Sequence, residues 1–287
     1  ANFFKTGVKK PVKTQEKQVL TINVKKFDTN GCGVAYYKKK PVFVTGSLPN
    51  ENIDVQLIEQ KNKYSRGKLL AINSVSENRV PAKCQHFNLC GGCDIQHVEY
   101  TEQLVFKKNK VIELFSRSGM TVDVIEQLPW QNPIVNSPWH YRRKARIGVQ
   151  FDKNAQAIIG FRQKATNQLV GIKSCPVLVK PANDIFPILN ELIAKLSVKK
   201  SIGHIEVICT DISSYDISNQ SSKLTLVVRQ IRDINEHDRQ LWFKYAKNNQ
   251  WSVCFQVNGN SETENKAAPS IANNLNYPLI DDIQINF

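Results

Sequence analysis

Three thiols fall within ten residues of the chain, Cys84, Cys90 and Cys93 in CQHFNLCGGC, and the last two are separated by a pair of glycines. Thiolates bind soft or borderline metals, and a tetrahedral or cubane site takes four ligands. A C-x2-C pair can bring two sulfurs to one metal centre. Gly91 and Gly92 let the backbone turn tightly and aim N–H groups at sulfur. The chain holds seven cysteines, so a fourth ligand must be Cys32, Cys175, Cys209 or Cys254. Cys209 in EVICTD and Cys254 in SVCFQV sit in apolar strand contexts and read as small buried hydrophobes. Cys32 lies in a turn. Cys175, in GIKSCPVL, follows a strand and precedes a proline, a familiar end to cluster-binding runs, and is taken as the fourth ligand. Structural zinc sites more often use two C-x2-C knuckles. One knuckle joined by two lone cysteines favours a [4Fe-4S] cluster over zinc. The bland alternative, free thiols, would leave reactive groups crowded together. His86 and His97 nearby are read as structural or surface residues.

A second pattern concerns polyanions. HYRRKAR at 140–146 places Arg142, Arg143, Lys144 and Arg146 beside Trp139, His140 and Tyr141. On a strand, alternate residues share a face, so Arg142, Lys144 and Arg146 are expected to project together. Arg162 and Lys164 in GFRQK extend that face from a neighbouring strand. Guanidinium forks match phosphate oxygens and stack on bases. Further back, Lys38, Lys39, Lys40, Lys61, Lys63, Arg66 and Lys68 are interleaved with Tyr36, Tyr37 and Tyr64. That mixture of cations and rings suits RNA, although a solvated lysine-rich face is the simpler reading of any single member.

These groups need a scaffold. From Gln18 to about Val75 the pattern is short strands broken by turns, with NGCG at 30–33 as a turn signal. Five short strands in about sixty residues, without a long helical pattern, predict a small closed barrel of the OB type. A helix is predicted over Tyr100–Ser116, ended by Ser118-Gly119. A proline-rich connector follows at 132–139. Strands are then predicted at YRRKARIGVQF, twice within AIIGFRQKATNQLVGIKSC, and at HIEVICT, KLTLVVRQ and WSVCFQV. Helices are predicted at PANDIFPILNELIAKLS and NEHDRQLWFKYAKNN. The whole is an α+β fold whose second domain carries an antiparallel sheet.

Composition agrees with a globular nucleic-acid binder. Hydrophobic residues make up 41% of the 287 residues and the net charge is +14, which points to a polyanionic partner. The charge is uneven: net +9 over residues 1–72, +7 over 73–180 and −2 over 181–287. There is no apolar run of membrane-spanning length and no signal-peptide pattern. With seven cysteines and no export signal, a reducing cytoplasm fits better than a disulfide scaffold.

In order along the chain, a basic barrel, CQHFNLCGGCDIQH, a helix, W-HYRRKARIGVQF and IGFRQKATNQLVGIKSCPVL resemble the RlmD (RumA) type of 23S rRNA uracil-5-methyltransferases. The resemblance covers essentially the whole chain. It implies a TRAM-type barrel, a [4Fe-4S] cluster on Cys84, Cys90, Cys93 and Cys175, and an RNA grip from the barrel and the YRRKAR region. The expected RNA contacts are Lys63, Tyr64, Arg66, Lys68, Tyr141, Arg142, Arg143, Lys144, Arg146 and Arg162. The domains implied are a flexible basic arm at 1–16, the RNA-binding barrel at 17–76, the iron–sulfur loop and helix at 77–130, and a central α+β RNA-binding domain at 131–287. The implied partner is 23S rRNA, with no membrane, and the protein is expected to be a monomer.

The family's S-adenosylmethionine loop and Cys-Pro nucleophile have no counterpart here. The one G-x-G, Gly31-Cys32-Gly33, lies inside the barrel, and DDIQINF at the end is a period-2 strand pattern. The expectation is therefore a form lacking its C-terminal methyltransferase domain, with no catalytic residue and no activity of its own. The alternative is a stand-alone RNA-binding module with a structural metal.

Overall fold

The computed structural model describes residues 18–210 and 223–257. The arm expected at 1–16 and the strand pattern at 281–287 lie outside them.

The first unit is a six-stranded sheet of β1 (Val19–Asn23), β2 (Lys26–Phe27), β3 (Gly33–Tyr37), β4 (Lys40–Val44), β5 (Asn52–Gln60) and β6 (Ser65–Ser74). The strand order is β1-β5-β6-β4-β3-β2. β1 and β2 are the two ends of that order, yet only Val24 and Lys25 separate them in the chain. They are one bent strand, and the bend closes the sheet on itself as a barrel, which leaves no long unpaired edge. Alternation along β5 puts Ile53, Val55 and Leu57 inside with Ile22, Val24, Ala35, Val42 and Val44. Gly67 is required where β6 crosses the core, since a Cβ there would lie 2.1 Å from Val55 Cγ1.

The second unit is built on β7 (Lys144–Phe151), β8 (Ala157–Arg162), β9 (Leu169–Gly171), β10 (Ile202–Thr210), β11 (Lys223–Gln230) and β12 (Trp251–Val257), in the order β12-β11-β10-β7-β8-β9. The expected antiparallel sheet is corrected at one edge, where β11 and β12 pair in parallel. A helix, Glu236–Asn249, connects them; a crossover of that length returns the chain to run in the same direction, which a tight hairpin cannot do. Helix Ile185–Lys195 buries Ile185, Phe186, Leu189, Leu192 and Ile193 in the main core with Ile147, Ile205 and Leu226.

Between the units runs helix α1 (Tyr100–Arg117), capped by Glu99, whose carboxylate accepts from the Thr101 and Glu102 amides. The predicted helix forms where its apolar spacing put it, and no residue of it is buried. Phe106 does reach the barrel, with its ring centroid 5.0 Å from that of Phe27. No helix among the described residues is long and apolar enough to cross a membrane.

The barrel is tied to the segment that follows it by a buried ion pair. Glu51, fully buried, accepts from Arg79 Nε at 2.5 Å and from its Nη2 at 2.9 Å, and Arg79 also donates to the Gly46 carbonyl at 2.7 Å. His97 lies at the same junction. It is 4% exposed, and neither ring nitrogen has a hydrogen-bond partner among the described residues. Its ring packs 5.2 Å from Phe87. Burial, with the Arg79 cation adding, depresses its pKa to about 4. The unfolded chain therefore takes up this proton first as the pH falls, its own value being about 6.5. The expected outcome is full stability from this group above about pH 6.5, lost progressively as the pH falls through about 4. Urea denaturation from pH 7 to 4 on the protein and on His97→Phe measures it; the variant should show the shallower loss in acid.

Candidate nucleic-acid interface and cysteine site

The cysteine loop is fastened to the end of β8. Gly91 N donates to the Arg162 carbonyl at 2.8 Å, Lys164 N donates to the Leu89 carbonyl at 2.9 Å, and Cys90 bridges Gln163. Gly91 is needed there, because a Cβ would lie 3.1 Å from the Arg162 oxygen. Cys90 and Cys175 are both buried in the main core, and Cys93 packs against it. Thus residues more than eighty positions apart belong to one core.

Their electrostatics show the same convergence. Burial raises the Cys90 thiol, the Gly92 amide opposes this, and Cys93 and Cys84 raise it further. Burial also raises Cys175, opposed by the Val177 amide, with Cys93 and then Cys84 again contributing upward. The Gly92 amide donates to Cys90 Sγ at 3.4 Å. Cys84 and Cys175 are held through their own amides, which donate to Gln96 Oε1 at 3.2 Å and Asn183 Oδ1 at 2.6 Å. Among the described residues, no three His, Cys, Asp or Glu side chains gather tightly enough to hold a metal ion. Of the other thiols, Cys209 is buried in β10 as expected. Cys254 is exposed, contrary to its apolar context; among the described residues β12 stands at the end of the sheet order. Cys32 contacts Thr45 Oγ1 at 3.5 Å in the barrel.

Beside the cysteine loop opens a cleft of about 1120 Å³. The barrel contributes Asn30, Cys32 and Thr45, the loop Gly91, Gly92 and Asp94, and the sheet Arg146, Phe161, Arg162 and Lys164. The structure therefore brings together two of the expected RNA contacts, Arg146 and Arg162. Arg66 is a near neighbour, since its charge acts on Cys32. Arg66 is also paired with Glu59 at 3.3 Å and lies 5.9 Å from the Tyr64 ring centroid. Arg66 and Lys68 point outward on β6, and Lys63 is exposed in the turn before it.

Of the expected row Arg142, Lys144 and Arg146, the last two lie on β7, which begins only at Lys144, while Arg142 stands before it in an isolated bridge to Leu178. Lys144 and Arg146 do share the exposed face. Both are engaged there by Glu206, at 3.3 Å and 2.7 Å. Glu206 was not anticipated, although the alternation of HIEVICT would have put it outward, and in the sheet it faces Arg146 directly. His204 lines the same cleft. Its Nε2 has no hydrogen-bond partner among the described residues and lies 3.8 Å from Glu206. Burial, then Arg146 and Arg229, lower its pKa. Tyr141 is exposed beside this region.

Residues 13–70 match the TRAM domain. The full length of the chain aligns at 50% identity with the 23S rRNA (uracil(1939)-C(5))-methyltransferase RlmD of Colwellia psychrerythraea strain 34H, of which it covers 62%. It is 34% identical over its whole length to the RlmD of Shewanella sediminis, covering 61% of it, and 36% identical over 86% of its length to that of Aliivibrio fischeri strain MJ11, covering 52%. The chain thus spans between about half and three-fifths of these relatives. Among solved structures, the tRNA (uracil-54, C5)-methyltransferase of Pyrococcus abyssi in complex with S-adenosyl-L-homocysteine shares its fold, with a TM-score of 0.56 at 19% identity, over 84% of this chain and 52% of that one.

These matches overturn the expectation of a form that lacks its catalytic domain. Relatives named as whole methyltransferases align with every part of the chain, and the protein that shares its fold is a methyltransferase as well. The accompanying expectation of an inert chain loses its basis, since the position of residue 287 says nothing about what the protein contains.

Proposed function

We propose that residues 1–287 supply the RNA-recognition part of an RlmD-type, S-adenosylmethionine-dependent methyltransferase that forms 5-methyluridine in 23S rRNA, working as a monomer in the cytoplasm. What supports this reading is that the charges of Cys84 and Cys93 act on both Cys90 and Cys175, and that Gly91 and Gly92, beside Cys90, line a basic cleft that the TRAM-like barrel helps to form.

A [4Fe-4S] cluster is the group we assign to the four thiols. The donor set is soft, two of its members are buried, and the Gly92 amide already points at Cys90 Sγ, the kind of N–H contact that tunes cluster sulfurs. A single zinc ion at about 2.3 Å from each sulfur needs all four closely packed, whereas a cube of iron and sulfide accepts a wider set. Its part would be to fasten residues 84–93 to the end of β9, and no chemical step is assigned to it.

The reaction class explains why such a grip is needed. Uracil C5 is a poor nucleophile; a cysteine thiolate adds at C6, the resulting enolate attacks the methyl group, and a base then takes the C5 proton as the thiolate leaves. S-adenosylmethionine supplies the methyl group when bound. The described residues include no glycine-rich strand-to-helix turn that fits it: Gly31-Cys32-Gly33 lies in a barrel turn, where Gly31 packs towards Ile95 and Phe106. No step is therefore routed through that cofactor here. Extruding the target base costs a few kcal/mol, and the basic cleft and barrel are suited to hold the flanking backbone meanwhile.

Two measurements test this. Protein purified without oxygen should be brown and hold about four irons per chain; Cys175→Ala should lose the iron and Cys209→Ala should retain it, whereas a colourless protein with one zinc would reject the cluster. The whole protein, given S-adenosylmethionine and unmodified 23S rRNA, should produce 5-methyluridine; RNA binding without methyl transfer would favour a stand-alone RNA-binding module.

A further inference from the structure

We propose that Glu206 and His204 form a proton-coupled latch: Glu206 holds Arg146 and Lys144 while no RNA is bound, and His204 takes over the carboxylate, with a proton from solvent, when a phosphate claims Arg146. The latch rests on the RNA-binding reading above. It adds a competitor built into the protein and a proton that enters with the RNA.

Three side chains from two neighbouring strands converge on one carboxylate. On β7, Arg146 donates to Glu206 Oε1 through Nη2 at 2.7 Å and Nε at 3.2 Å, and Lys144 Nζ lies 3.3 Å from Oε2. On β10, His204 is two residues from Glu206 and shares its face. Its Nε2 is 3.8 Å from Oε1, the oxygen that Arg146 already takes. That nitrogen is shielded from solvent and has no hydrogen-bond partner among the described residues. A shielded polar atom without a partner is costly, and this one stops about 1 Å short of bonding range. Arg162, across the cleft, has no carboxylate partner among the described residues and bonds weakly to Asn167 Oδ1 at 3.4 Å. The latch therefore singles out the β7 cations.

The charges around His204 set its resting state. Arg229 faces it from β11, and Gly148, opposite it on β7, brings no side chain of its own. Arg162, Lys164 and Asp94 line the same cleft. Burial first, and then Arg146 and Arg229, hold His204 below its ordinary value of 6.5, against the pull of Glu206. It is neutral at pH 7 while Arg146 keeps its carboxylate.

A phosphate changes this balance. The Arg146 and Lys144 side chains are 67% and 65% exposed, so their pairs with Glu206 are weak and open to exchange. Glu206, at 20%, has little water to fall back on. Once displaced, its carboxylate faces the incoming phosphate as a like charge. A proton on His204 makes both ring nitrogens donors and matches that charge. His204 then has Glu206 as a partner, and the Arg146 cation beside it is neutralised by phosphate, so its value rises. Binding takes up a proton between the two values. Affinity rises as the pH falls through the bound value and levels off below the free one. Anions too weak to displace Glu206 are refused, which favours RNA that brings a phosphate to this position.

The test is filter binding of unmodified 23S rRNA to the whole protein at about 0.1 M salt, where surface charges are screened beyond about 10 Å, across the neutral and mildly acid range. Affinity should rise as the pH falls, by up to about tenfold per unit, the limit for one proton. His204→Gln should lose that rise. His237→Gln, which removes an exposed histidine on the helix Glu236–Asn249, should keep it. Glu206→Gln should bind about 3- to 10-fold more tightly on the alkaline side, as expected for two partly exposed pairs released, with a flattened pH dependence. Weaker or unchanged binding by Glu206→Gln, or a rise that survives His204→Gln, would overturn the latch and leave RNA binding intact. A protein that binds 23S rRNA at no pH would overturn the RNA-binding reading and the latch with it.

Discussion

The arrangement depends on a strand edge that lends its backbone to a loop. At residues 162–164, just where β8 ends, the main chain accepts from Gly91 and donates to Leu89, and Cys90 bridges Gln163 between them. Each such bond is worth about 1 kcal/mol net, too little alone to fix a loop of ten residues against its conformational entropy. The side chains add what the backbone lacks: Cys90 and Cys175 buried in one core, and Lys164 over Phe87. A cluster on the four thiols would cross-link the same contact. Because the loop also forms one wall of the cleft, its fastening sets the position of Arg162 and Lys164 relative to the barrel.

The barrel is held to this assembly by a different device. Glu51 has no access to solvent, and leaving it unpaired would cost about 3–5 kcal/mol. Arg79 answers that charge with two bonds and places the chain for the Arg79–Val98 bridge that begins the cysteine segment. His97, with its pKa lowered by burial and no hydrogen-bond partner among the described residues, fills the space beside the pair. A second cation there would face Arg79 and Lys164 with only the already engaged Glu51 to balance it. The junction is thus tuned to one charge state, and this keeps barrel and loop in register near neutral pH.

Much of this was legible in the sequence, and the misses have physical reasons. Alternation with turn residues pointed to the barrel, and strand context pointed to the burial of Cys209. Periodicity could not say that β12 pairs in parallel, because strand direction is set by the connecting helix and not by the strand's own residues. Nor could it show that Arg142 stands outside β7, bridged instead to the distant Leu178. Glu206, Glu51 and Arg79 matter through partners 28 to 60 or more residues away, a distance no local pattern spans. The matched charge on Arg146, which separates it from Arg162, was invisible for the same reason.

The central claim is that the four cysteines hold the loop to the strand edge and so shape the RNA cleft. Amide hydrogen exchange at Gly91 and Lys164, followed in iron-loaded protein and again after the iron is chelated, tests it most directly. Protection at both amides should fall when the iron leaves, while amides in the barrel strands keep theirs. Equal protection before and after, in protein shown to have contained iron, would contradict the account.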